Sequence, residues 1–305
     1  MSEQTTTATD TTAVLGATPV ETVRLVVATC RNARPRNEDA VGVGGWVLHG
    51  DHPDPLEIAV AIRPGRPVVI VVADGMGGHP DGDWAARIAA EQLTRPAPPG
   101  ESAEITDAFH RADTAIRIAA GGRSRGMGCT AAALFLGING NSTIANIGDV
   151  RVYRILDGYL GQLTVDDRPA GAASGAVTRC LGGNAPTATE VHTQHLTLRP
   201  GDRLVLCTDG LHDAVALSAT RLPGSWDAKQ LVAELMQAAQ RVDDGDNVTV
   251  AVIELPATET TPEAETAVTI TETAAEPDEL APPPPPEHRP SWLRRLTFRL
   301  KKLHR

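Results

Sequence analysis

The sequence has few aromatics, few cysteines and no long apolar run. Phenylalanine, tryptophan and tyrosine make up 3% of its 305 residues, so Val, Leu, Ile and Ala must fill any interior. The four cysteines, Cys30, Cys129, Cys180 and Cys207, lie far apart and form no CxxC pair. That spacing supplies neither a zinc site nor a disulfide framework, and buried free thiols in a reducing cytoplasm are expected. No stretch of about 18 residues is apolar and free of charge, which argues against a membrane span. The Thr-rich, acidic N-terminus lacks the basic region and apolar run of a secretion signal. A net charge of −10 argues against general nucleic-acid binding. The expectation is a soluble, cytoplasmic protein that acts as a monomer.

Composition divides the chain into four parts. Residues 1–20 are rich in Thr and Ala and are expected to be disordered. Residues 21–255 carry the apolar patterning of one large domain. Strands are expected over 23–29, 68–73, 131–138, 142–147, 151–156, 188–196, 203–208 and 248–255, all rich in Val, Ile, Leu and Thr. Helices are expected over 83–94, with Trp84, Ile88 and Leu93 on the apolar side, over 103–120, and over 227–241 with a Leu231, Leu235, Met236 stripe. Residues 46–67 contain several prolines and read as an extra loop. Two strands, two helices, a run of strands, a late helix and a last strand suggest a layered α/β fold. Its centre would be two antiparallel sheets flanked by helices, not a doubly wound parallel sheet.

Beyond residue 255 the pattern stops. Residues 256–290 hold eight acids and one arginine and include the run Pro282 to Pro286, expected to be a stiff acidic linker. Residues 291–305 reverse the sign, with Arg294, Arg295, Arg299, Lys301, Lys302 and Arg305 and no acid. Leu293, Leu296, Leu300 and Leu303 fall at helical spacing there. This segment reads either as a peripheral anchor to anionic lipid or an acidic partner, or as a solvated end that folds back on the acidic linker.

Four acidic anchors stand at the edges of β-branched stretches: Asn37-Glu38-Asp39, Asp74-Gly75-Met76-Gly77-Gly78-His79, Asp209-Gly210-Leu211 and Gly245-Asp246-Asn247. Carboxylates converging from separate strand ends are what hard divalent cations require, because Mg2+ and Mn2+ take oxygen ligands and keep several waters. With these stand Arg34-Pro-Arg36, Gly128-Cys-Thr130-Ala, Asn146-Ile-Gly-Asp149-Val-Arg151, Thr178-Arg-Cys-Leu-Gly182 and Cys207-Thr-Asp209-Gly-Leu-His-Asp213. In this order, the set resembles the metal-dependent type 2C serine/threonine protein phosphatases, in their bacterial branch, over nearly all of the patterned region.

The resemblance implies a centre of two divalent cations, Mn2+ or Mg2+, that share a bridging water or hydroxide. Asp74 would bridge both ions, Asp39 and the Gly75 carbonyl would bind on one side, and Asp209 and Asp246 on the other. The bridging hydroxide would attack phosphorus in line, without a phosphoenzyme. Glycine at position 75 would let its carbonyl approach a cation closely. Arg34 would grip phosphoryl oxygens through its planar guanidinium, with Arg36 as the local competitor. Asp149 and Asp213 match positions that help hold a third, weaker metal in bacterial relatives. Glu38 would orient ligands and waters. His79 and His212 read as structural histidines, and Met76 stands where some relatives have a histidine thought to protonate the leaving group.

Three departures stand out. Val150 replaces a small hydroxyl residue, Asp166-Asp167 replaces an Asp-His pair, and only ten residues separate Asp167 from Thr178, where relatives carry a longer flap. The implied activity is hydrolysis of phosphoserine and phosphothreonine in proteins, opposed by a serine/threonine kinase. The alternative is a catalytically weak sensor or scaffold that binds metal or phosphoprotein.

Overall fold

The computed structural model describes residues 21–76, 81–96, 104–121, 126–170, 175–184, 190–241 and 245–255. His79, the N-terminal tail, the acidic linker and the basic segment 291–305 lie outside these residues.

Two antiparallel sheets stack face to face. One runs β4 (His52–Ile62), β1 (Glu21–Cys30), β13 (Val248–Glu254), β12 (Arg203–Cys207), β8 (Arg151–Leu156), β9 (Tyr159–Gln162). The other runs β11 (His192–Thr197), β7 (Asn141–Ile147), β6 (Gly128–Leu136), β5 (Val68–Gly75), β2 (Asp39–Val43), β3 (Trp46–His49), with the short β10 (Leu181–Gly182) paired to β6. Helices α1 (Gly82–Thr94) and α2 (Ile105–Ala120) cover the second sheet, while α3 (Asp209–His212) and α4 (Ala228–Gln240) cover the first. This is the expected sandwich of two antiparallel sheets between helices.

Side-chain alternation builds three apolar layers and fixes where polar groups emerge. Val23, Leu25 and Val27 of β1, Val41 and Val43 of β2, Ile70 and Val72 of β5, Leu204 and Leu206 of β12, and Ala251 and Ile253 of β13 all enter the layer between the sheets. The same parity carries Thr29, Asp39, Asp74, Thr208 and Thr249 onto that inner face. The inter-sheet core therefore ends in a rim of carboxylates and hydroxyls contributed by strands of both sheets.

The helices dock on alanine. Ala85, Ala86, Ala89 and Ala90 are the buried face of α1, and a Cβ on Gly42 beneath it would stand 2.8 Å from the Ala90 carbonyl oxygen. Trp84, expected on the apolar side, is exposed instead, with the Arg87 guanidinium 5.2 Å from its ring centroid. The stripe expected on α4 is buried as read, and its first turn is closed by a capping box between Asp227 and Gln230.

The region 46–67 is corrected from loop to β3 and β4. Among the described residues β4 is an edge strand paired only with β1, so Pro53 and Pro55 need no outward N–H partner there. Five strands among the described residues therefore precede α1, not two. The strand expected over 131–138 stops at Leu136, where a 3₁₀ turn begins at Ile138, and that over 188–196 is described as His192–Thr197.

Candidate metal centre

Asp39 and Asp74 are register partners across β2 and β5, and Asp74 faces Thr130 of β6 on its other side. From the opposite sheet, Asp209 opens α3 directly after β12, and Asp246 stands just before β13. Two glycines bring these ends together. A Cβ on Gly210 would lie 2.0 Å from the Asn247 carbonyl oxygen, so the Asp209 turn packs backbone to backbone on the Asp246 turn. A Cβ on Gly75 would lie 2.3 Å from the Gly82 carbonyl oxygen and 2.7 Å from that of Glu38. Glycine at 75 is thus required by the seating of α1 on this strand end, a reason other than the cation approach expected from sequence.

Asn247 fixes the remaining loop. Its side-chain oxygen accepts from the Glu38 N–H (2.8 Å), and its amide donates to the carbonyls of Arg31 (3.1 Å) and Arg36 (2.8 Å). The chain from Arg31 to Glu38 is thereby tied to the Asp246 turn. Arg34 Nη2 donates to Asp246 Oδ2 at 2.7 Å. A cleft of about 540 Å³ collects Arg34, Asp74, Gly75, Asp149, Asp209 and Asp246, among others. Arg36, by contrast, lines a separate cleft with Arg31, His49 and Asp51.

Asp39 is buried behind the first of these clefts, beside Asp74, only 1% exposed. Its Oδ2 accepts from the hydroxyls of Thr249 (2.7 Å) and Thr208 (3.0 Å). Thr208 Oγ also accepts from the Thr249 N–H, and the Thr249 oxygen lies 2.7 Å from that of Thr29, to which Asn37 donates. Because Thr249 spends its hydrogen on Asp39, Thr29 must donate to Thr249, and the chain of donors runs one way into the carboxylate. The other oxygen, Oδ1, is buried and has no protein partner.

The carboxylates disturb one another strongly. Burial, opposed by the two threonine bonds and reinforced by Asp209 and Asp246, pushes Asp39 up to about 7. Asp74 is raised well above the ordinary carboxylate range by burial and then by Asp39, Asp209, Asp149 and Asp246. Asp209 rises to about 6 through burial and its neighbours Asp149 and Asp246. Glu38 rises to about 7 through burial, Asp83 and Asp246. Clustered, buried carboxylates of this kind are ionised together only beside strong positive charge.

These features suit hard divalent cations: an unpartnered buried oxygen on Asp39, mutually repelling aspartates and an all-oxygen donor set. Among the described residues, no group of three or more acidic, histidine or cysteine side chains is gathered closely enough to hold a metal ion by itself. Carbonyl oxygen and water would complete the shells, as is usual for Mg2+ and Mn2+.

Asp149 and Asp213 do come together, but around a residue the sequence reading passed over. Arg168 Nε donates to Asp149 Oδ2 (2.7 Å), Nη1 and Nη2 donate to the two oxygens of Asp213 (both 3.0 Å), and Nη2 also reaches Asp209 Oδ2 at 3.4 Å. Although burial opposes it, bonds from His212 and Arg168 draw Asp213 down to about 2. His212 is buried, with Nδ1 3.0 Å from Asp213 Oδ1 and Nε2 3.0 Å from the Asp149 carbonyl oxygen, a structural role as expected. His192 Nε2 lies 2.9 Å from Asp167 Oδ1.

The departures are absorbed locally. Val150 joins the inter-sheet core, Asp166 accepts from both Nε and Nη2 of Arg151, and Asp167 Oδ2 accepts from the Gly148 N–H. Cys30 and Arg36 happen to have the Cys-x5-Arg spacing of thiolate phosphatases. Cys30, however, is buried in the apolar layer beneath α4 and accepts from Gln240, so it is no nucleophile.

Comparison with known proteins identifies the family and the fold. The family described as Protein phosphatase 2C matches residues 54–250. The serine/threonine protein phosphatase PstP of Mycobacterium tuberculosis is 33% identical over 211 residues, covering 61% of this chain and 40% of the relative. The chain thus spans about two fifths of that relative's length. The crystal structure of the catalytic domain of PstP in complex with two manganese ions superposes with a TM-score of 0.58 at 28% identity, covering 78% of this chain and 100% of that one. PppA of Pseudomonas aeruginosa shares the fold at a TM-score of 0.61 and 24% identity, over 77% of this chain and 99% of that one.

Proposed function

The chain belongs to the protein phosphatase 2C family, and on that footing we propose that it hydrolyses phosphoserine and phosphothreonine in proteins. The observation that carries this reading is the meeting of Asp74, Asp209 and Asp246 with Arg34 in one cleft, with Asp39 buried behind it as the register partner of Asp74. Asp39, Asp74, Asp209, Asp246 and the Gly75 carbonyl would hold two divalent cations, Mn2+ or Mg2+. Bound there, the ions supply an acidified water and neutralise charge on the phosphoryl oxygens.

The chain's own groups do the rest. Arg34, half-exposed at the cleft and bonded to Asp246, has donors left to bind two phosphoryl oxygens and fix the group for in-line attack. The Thr29–Thr249–Asp39 relay and the bond from Thr208 hold the Asp39 carboxylate in one rotamer with Oδ1 turned from its protein partners. Attack by water forms one P–O bond as the bond to the serine or threonine oxygen breaks. The leaving oxygen takes its proton from solvent, since Met76 at the cleft wall offers none. A serine/threonine kinase would supply the phosphoprotein consumed here.

The test is hydrolysis of p-nitrophenyl phosphate and of a phosphothreonine peptide with Mn2+, beside Asp74→Asn. The wild type should turn over both, and the variant, which weakens the hold on the ions, should lose at least about a hundredfold in kcat, because the several kcal/mol of charge stabilisation they supply is lost with them. Equal, negligible rates in both proteins would support the sensor reading instead.

A further inference from the structure

Arg168 is placed with unusual firmness for a residue in a short loop. The N–H of Asp167, its predecessor, donates to the Gly148 carbonyl (2.9 Å), and the Asp167 carbonyl accepts from the Thr178 N–H (2.7 Å). The Asp167 side chain is held from three directions, by Gly148 N–H, Arg179 and His192. Pro169 follows, which restricts the Arg168 backbone to extended conformations. The guanidinium, 17% exposed, spends Nε, Nη1 and Nη2 on three carboxylates. Burial alone would weaken its charge, but the bonds to Asp213 and Asp149 outweigh that and raise its affinity for the proton.

We propose that Arg168 is a tethered cation that takes the place of a third divalent ion between Asp149 and Asp213 and, through Asp209, positions one carboxylate of the two-ion centre. The proposal rests on the reading of that centre given above. A planar guanidinium with five donors satisfies several carboxylate oxygens in a fixed geometry, at any ion concentration. An ion entering between Asp149 and Asp213 would have to displace a side chain whose backbone is pinned on both sides. The chain therefore carries one positive charge of its own where a free ion would come and go. Arg168 is a positioning residue, since it acts through Asp209.

Direct counting of bound Mn2+ tests this. The full chain, stripped with EDTA and desalted, is equilibrated against millimolar MnCl2, and protein and metal are quantified by equilibrium dialysis with elemental analysis. Two ions per chain are expected for the wild type and for Arg168→Lys, and three for Arg168→Ala. Arg168→Ala combined with Asp149→Asn should return to two, which locates the added ion. Three ions in the wild type, or two in a folded Arg168→Ala, would overturn the proposal while leaving the two-ion centre intact. Fewer than two in the wild type would instead refute the reading of the centre itself. If Arg168→Ala fails to fold, the wild-type count still decides.

Discussion

The donor chain into Asp39 makes a quantitative prediction. Thr249→Val keeps shape and volume but removes a hydroxyl that bonds a buried carboxylate at 2.7 Å. Hydrogen bonds to charged groups contribute about 1.5–3 kcal/mol, which corresponds to roughly 10–100-fold in an equilibrium constant. Outer partners of metal ligands elsewhere show losses of about 10–100-fold in affinity. The Mn2+ midpoint for binding and for activation should therefore rise by about that factor. Because the Thr249 bond opposes the upward push of burial on Asp39, its loss raises that carboxyl's proton affinity further. The rise in midpoint should consequently be larger below neutral pH than above it. Thr29→Val, one link further out, should give a smaller rise, since it removes only the donor to Thr249. Isothermal titration of the metal-free proteins with MnCl2 at two pH values would measure all three. A midpoint for folded Thr249→Val within twofold of wild type, or a larger effect at Thr29 than at Thr249, would refute the relay.

Two further outcomes follow from the packing and the charges. Gly210→Ala places a Cβ 2.0 Å from the Asn247 carbonyl, a backbone atom that can yield only by moving the Asp246 turn. It should cost about 1–3 kcal/mol of stability, seen as a lowered Tm, and leave activity depressed even at saturating Mn2+. For the metal-free protein, Asp39 and Asp209 titrate near 7 and 6, above their unfolded values, and Asp74 is shifted the same way. The folded state therefore holds more protons than the unfolded one between those limits, and their contribution is present at low pH and lost as pH rises through about 6–7. The Tm in EDTA should fall from about pH 5 to about pH 8, and Mn2+ should reverse that fall; a Tm that climbs over this range would contradict the cluster.

Much of the site was legible because its chemistry is written in short motifs. Asp39, Asp74, Asp209 and Asp246 each stand beside a β-branched run, and the sheets bring those runs together. What escaped the reading depends on long-range pairing. Thr208 and Thr249 lie inside quoted motifs, yet their hydroxyls matter only because strand parity turns them to the inner face beside Asp39. Arg168 meets Asp149, Asp209 and Asp213 across separations of 19, 41 and 45 residues, and nothing in its neighbours announces those contacts. The strand over His52–Ile62 was hidden by Pro53 and Pro55, which an edge position tolerates. The buried face of α1 is faint in the sequence because alanine contrasts weakly with its surroundings, whereas the bulky Trp84 is exposed.

The pairing of Asp39 with Asp74 also determines where this chain can change length. Between those two residues the backbone leaves one sheet, runs the whole of β4 in the other, and returns for β5. Residues gained or lost at the turn around Gly65 leave the acids opposite each other, because their alignment is set inside the ladder. One residue removed from within β2 would instead bring Glu38 opposite Asp74, move Asp39 opposite Ala73 and swing its carboxylate toward α1. Growth is thus permitted at the periphery of this arch and forbidden along a few ångströms at its root.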